Sequence, residues 1–127
     1  MKEYIVSYDI AVKLKEKGFP MPKRAFFGIY EDDKSFRLRQ VRPYRIQGIV
    51  IAPTIRQVLK WLRDEKKIYV VVTPYPSMST KDKVVWCYQI KHNSDGAFME
   101  EIDGLEIYMF HRRAALGGIE YVLDNLI

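Results

Sequence analysis

The sequence predicts an α+β fold, with a single antiparallel or mixed sheet of about five or six strands and three helices packed mainly on one face. Two observations carry that expectation. Apolar residues recur at helical spacing in three separate stretches, near 7–17, 54–67 and 112–125. Runs with strand character fill the intervals between them. No repeat, low-complexity tract or Gly/Ser linker interrupts the 127 residues, so one globular domain over 1–127 is expected.

The first helix is expected over about 7–17. Val6, Ile10 and Leu14 fall at intervals of four, and Ala11 joins their face. Ser7 or Asp9 can cap its start, and Gly18 suits a left-handed cap at its end. Phe19-Pro20-Met21-Pro22 ends any helix, because proline lacks an N–H and restricts the residue before it. Strands are expected next at about 25–31, 36–41 and 44–51, with Glu31-Asp32-Asp33-Lys34 as a polar turn and Pro43 as a break. In the second run Phe36 and Leu38 alternate with Arg37 and Arg39, which predicts one buried and one wet face.

The second helix has the clearest signature. Thr54 and Gln57 form a capping box, and Ile55, Val58, Leu59 and Leu62 make a continuous apolar stripe. Its end is expected near 65–67, where Lys66 and Lys67 suit the negative pole of the helix. Strands should follow at 68–73, 84–91 and 105–110, separated by a Pro/Ser-rich loop and by the turn signal Asn93-Ser94-Asp95-Gly96. The last helix, about 112–125, places Ala115, Ile119, Val122, Leu123 and Leu126 on its core side. Gly117 and Gly118 weaken a helix by about 1 kcal/mol each relative to alanine, so a close neighbour is expected at the Ala114/Gly118 face. That neighbour is the sheet, another helix or, through homo-oligomerisation, a second subunit. Trp61 and Trp86 are expected at or near the core.

Composition sets further bounds. At 48% hydrophobic and 29% charged, the chain has enough apolar material to exclude disorder throughout. The longest apolar runs, at 68–72 and 84–88, are about a quarter of the roughly 20 residues that a membrane-spanning helix needs, so no membrane association is expected. One cysteine, Cys87, allows no internal disulfide, and the first residues lack the features of a signal peptide. A cytoplasmic setting is the expectation, with Cys87 as a small buried hydrophobe. The net charge of +5 is uneven: residues 1–67 hold 16 Lys/Arg against 8 Asp/Glu, and residues 68–127 hold 5 against 8. A basic half attracts phosphate backbones or acidic surfaces, or simply keeps a face solvated.

Enzymatic motifs are lacking. His92 and His111 show no paired spacing, and there is no zinc-type Cys/His set, phosphate loop or nucleophile elbow. No catalytic residue, metal or cofactor is expected. Glu100-Glu101 with Asp103 reads as a solvated turn rather than a calcium loop.

Two clusters stand out as binding candidates. The first is Arg37, Arg39, Arg42 and Arg45 with Tyr44, a basic strand with an aromatic that suits a nucleic-acid backbone. Its alternative is a strand whose charge defends an edge against pairing. The second is His111-Arg112-Arg113 at the start of the last helix, where cations oppose the helix dipole. Free N–H groups and two guanidinium groups there suit an anion or an acidic partner side chain, unless nearby acids neutralise them.

Three segments, SYDIAVKLKEKGF at 7–19, APTIRQVLKWLR at 52–63 and AALGGIEYVLDNLI at 114–127, together cover about a third of the chain. In this order they resemble small hypothetical proteins of gut Bacteroides-type bacteria and their prophages or mobile elements. The resemblance implies a source and a cellular setting, and it brings no established activity with it. In that group the last helix often starts with acidic residues, where this chain has His111-Arg112-Arg113. The functional expectation is a non-enzymatic interaction or accessory protein with an unidentified protein partner. The alternative is a nucleic-acid-binding protein using the basic N-terminal half, with a small enzyme lacking any recognisable motif as a weaker one.

Overall fold

A computed structural model describes residues 4–20, 27–39, 50–75, 83–93, 99–103 and 107–127. The chain divides into two compact units, residues 1–54 with Ile127 and residues 55–126. Each unit has its own sheet and its own buried cluster.

In the first unit, helix α1 (Tyr8–Glu16) begins where the sequence supplies a cap: Ser7 Oγ accepts from the Ile10 N–H at 3.4 Å. It ends at Gly18, whose φ of +85° is the left-handed conformation that side chains resist. The Gly18 N–H donates to the Lys15 carbonyl at 3.2 Å and the Phe19 N–H to the Leu14 carbonyl at 3.0 Å. These two bonds are the Schellman pair, and they satisfy carbonyls that the helix leaves open. Ile10, Ala11 and Leu14 are buried on one face, as their spacing predicts. Strands β1 (Phe27–Tyr30), β2 (Phe36–Arg39) and β3 (Val50–Ile51) form an antiparallel sheet in the order β2-β1-β3, and α1 contacts β3.

The β1–β2 turn follows from its backbone bonds. The Lys34 N–H donates to the Glu31 carbonyl at 2.8 Å, and the Glu31 N–H to the Ser35 carbonyl at 3.0 Å. Lys34 takes a φ of +65°, a place where glycine is usual. Asp33 Oδ1 accepts from both the hydroxyl and the N–H of Ser35, at 2.5 and 3.0 Å, and these bonds hold its carboxyl below the ordinary range. Tyr30 ties the sheet to the segment before α1. Its hydroxyl donates to the Val6 carbonyl, and its ring meets Tyr8 edge-on at 5.6 Å. The Val6 N–H donates to Pro53 O at 3.0 Å, and Ile5 bridges Thr54, so the segment continues the sheet beside β3.

In the second unit, α2 (Ile55–Lys66), β4 (Ile68–Pro74), β5 (Trp86–Asn93), β6 (Met99–Asp103) and α3 (His111–Asn125) follow one another. Val58, Trp61 and Leu62 of α2 are buried, and Lys67 closes the helix with a φ of +57°. The strands form a second antiparallel sheet, β4-β5-β6. Helix α3 buries Ala114, Ala115, Gly118, Ile119, Val122 and Leu123. A Cβ at Gly118 would lie 2.5 Å from Val70 Cγ1 and 3.2 Å from Tyr88 Cγ. Val70 and Tyr88 belong to β4 and β5, so the close neighbour of the Ala114/Gly118 face is the sheet of the same unit. Helix α2 touches both β4 and α3.

The α+β class holds, and two expectations need correction. The strands among the described residues do not share one sheet; they form two sheets of three. Among the described residues, α1 lies against the first sheet, and α2 and α3 against the second. Alternation reveals strands but not their partners, and here β1 and β5 each take both neighbours from nearby chain. The second correction concerns the last strand. It is Met99–Asp103, through the segment read as an acidic turn, while 107–110 contributes only the Trp86–Tyr108 bridge. Acidic residues have weak strand preference, but here the backbone of Met99–Asp103 pairs with β5, with Glu101 opposite Lys91 in register.

Candidate functional site

The predicted arginine set is only partly in view. Arg37 lies on β2 opposite Ile29, its side chain 63% exposed, with Nε 3.4 Å from Glu31 Oε2. Glu31, the partner in this pair, is the less exposed of the two, with its side chain at 24%. Arg39 ends β2 opposite Phe27, two residues from Arg37 on the same strand. Arg42, Tyr44 and Arg45 lie outside the described residues.

His111, Arg112 and Arg113 do start α3, as expected. Phe110 is the N-cap; it offers no side-chain cap, and the first turn holds no acid. The Phe110 carbonyl accepts from the N–H groups of Arg113 and Ala114 at 3.1 and 3.2 Å. Aromatic rings lie beside two of these side chains. The exposed His111 ring sits edge-on to Trp86, with centroids 5.0 Å apart at 78°. The Arg112 guanidinium lies 5.8 Å from the centroid of the Phe110 ring.

Sequence reasoning missed what surrounds this corner. The Tyr108 N–H and carbonyl exchange bonds with Trp86 at 2.7 and 2.8 Å, and the Tyr108 ring lies 6.3 Å from Tyr88. Tyr108 therefore turns toward the helix layer. Its neighbours Ile107 and Met109 are exposed, as are Phe110, at 60%, and Val84, two residues before Trp86. The signal was present as the run 105–110, but alternation does not say which side of a strand meets water. Exposed apolar side chains thus flank the Trp86–Tyr108 bridge along the chain, next in sequence to Arg112 and Arg113.

No group of three or more His, Cys, Asp or Glu side chains able to hold a metal occurs among the described residues. Among them, too, no helix is long and apolar enough to cross a membrane. No family model, curated protein or solved structure matches the chain.

Proposed function

We propose that the chain is a non-enzymatic interaction protein, an accessory product of the mobile elements whose hypothetical proteins it resembles. It binds a protein partner through the corner where α3 begins. The observation that supports this reading is the exposure of Ile107, Met109, Phe110 and Val84 around the Trp86–Tyr108 bridge, beside Arg112 and Arg113. Apolar contact area with a charged rim is the usual anatomy of a recognition surface. The partner it suits is a protein with an apolar spot flanked by acids. Affinity capture at physiological salt, with wild-type and Phe110→Asp chains, tests the idea. A partner retained by the first and lost by the second, with circular dichroism unchanged, is the expected result. Equal capture by both places the contact elsewhere and refutes the reading.

A second reading is favoured by the distribution of charge. Residues 1–54 hold 11 Lys/Arg against 6 Asp/Glu, while residues 55–127 hold 10 against 10. The first unit thus carries the whole excess, and Arg37 stands exposed on its β2. This suits a nucleic-acid backbone. Filter binding of short DNA and RNA should show affinity that falls steeply with salt, and no detectable binding at low salt rules the reading out.

A further inference from the structure

We propose that a second copy of this chain adds to the outer edge of β4, strand to strand and antiparallel, so that two β4-β5-β6 sheets become one six-stranded sheet. The inference goes beyond the partner surface at α3 and concerns a different part of the second unit.

The direction of the β4 backbone carries the argument. The Tyr75 N–H donates to the Val85 carbonyl at 2.8 Å, continuing the register in which Thr73 faces Cys87 and Val71 faces Gln89. Along an antiparallel strand the N–H and C=O of one residue point the same way, and successive residues alternate. Tyr69, Val71 and Thr73 therefore turn toward β5. Ile68, Val70, Val72 and Pro74 turn outward, and among the described residues no strand pairs there. Pro74, the residue without an N–H, falls in the outward set, where a strand edge tolerates it.

The other sheet edges are managed. The β2 edge carries Arg37 and Arg39. β3 is only two residues long, and the chain just beyond it is met by the Ile5–Thr54 bridge and the Val6–Pro53 bond. The β6 edge carries Glu100, Glu101 and Asp103. Charge and cover are the usual ways of preventing edge-to-edge addition. The β4 sequence, IYVVVTP, carries neither a charge nor a bulge over seven residues.

The occupant that fits is β4 itself. In the antiparallel register centred on Val71, outward residues meet outward residues. Val70 exchanges both bonds with Val72 of the second copy, and the Ile68 N–H meets the carbonyl of that copy's Pro74. The missing proline N–H falls at the rim. Val71 lies opposite itself and Tyr69 opposite Thr73, a set of β-branched and aromatic pairs that suits a pleated surface. Lys66 and Lys67 then fall beyond the far end of the facing strand. A parallel pairing would set them against their own copies.

The test uses the full chain. Sedimentation across a concentration series should show the 15.0 kDa mass doubling. Amide hydrogen exchange should show the Val70 and Val72 N–H groups gaining protection as the mass doubles, while those of Val71 and Thr73 stay protected throughout. Val71→Lys sets two ammonium groups against each other at the axis and should weaken association at least tenfold. Phe110→Asp should leave it unchanged, which separates this result from the fate of the partner surface. A chain that keeps the 15.0 kDa monomer mass at every concentration overturns the proposal. So does a doubling during which the Val70 and Val72 amides exchange as before, or a folded Val71→Lys chain that associates as tightly. If that variant fails to fold, exchange in the unchanged chain decides.

Discussion

Tyr30 couples one buried hydrogen bond to the pH dependence of stability. Its ring is 9% exposed, its hydroxyl donates to the Val6 carbonyl, and burial pushes its pKa above the ordinary 10.0. The folded state thus favours the protonated phenol. Above pH 10 the unfolded chain releases this proton more readily, so stability is full below that pH and falls as pH rises through the folded pKa. Tyr30→Phe should cost about 1 kcal/mol at neutral pH, from the lost bond and a less satisfied carbonyl, and should flatten the alkaline decline. Chemical denaturation at pH 7 and at pH above 10 measures both effects. Lys67 offers the opposite case. Its positive φ strains a residue with a Cβ, and its Nζ bond to the Asp64 carbonyl, 3.0 Å long, is exposed. Lys67→Gly should raise stability by about half a kcal/mol in the same assay.

Among the elements, α3 shows packing overruling propensity. Alanine at position 118 would improve intrinsic helicity by about 1 kcal/mol. Its Cβ would also meet Val70 Cγ1 at 2.5 Å, and forcing extra atoms into a packed interface costs about 1–3 kcal/mol. Since α3 lies on the sheet, the steric term wins: Gly118→Ala should lower the melting temperature, and Gly118→Val should lower it further. The helices were largely legible from sequence because their signals are local. Ser7 and Gly18 bracket α1, and the spacing of Val58 and Leu62 marks the buried side of α2. Even the small-residue face of α3 announced a close neighbour. Strand partners were not legible, since pairing joins residues distant in sequence. Met99–Asp103 holds three acids in five residues, which a local reading takes for a turn, while its register opposite Asn93–Gln89 is set by a different segment of the chain. The same limit applied to the candidate surfaces: His111-Arg112-Arg113 was visible as a charge run, while the exposure of Met109 and Phe110 depends on which way Tyr108 turns.

At the scale of the whole molecule, charge and topology divide together. The basic excess belongs to residues 1–54, and residues 55–127 are balanced. If the first unit holds a nucleic-acid backbone through β2, Arg37→Glu should reduce the slope of log affinity against log salt by about 1 and weaken binding to every sequence alike. The same change alters no residue of the α3 corner, so partner capture there should persist. Measuring both on one variant assigns each activity to its own part of the chain.

The sheet of the second unit also contains its own reporter. Cys87 is the chain's sole sulfhydryl; it is half-buried, and its Sγ lies 3.4 Å from Thr73 Oγ1 across the β4–β5 pair. A thiol-reactive dye can therefore attach at one defined rung. Its rate of attachment reports how accessible that side of the β4–β5 pair is, without any substitution in the protein.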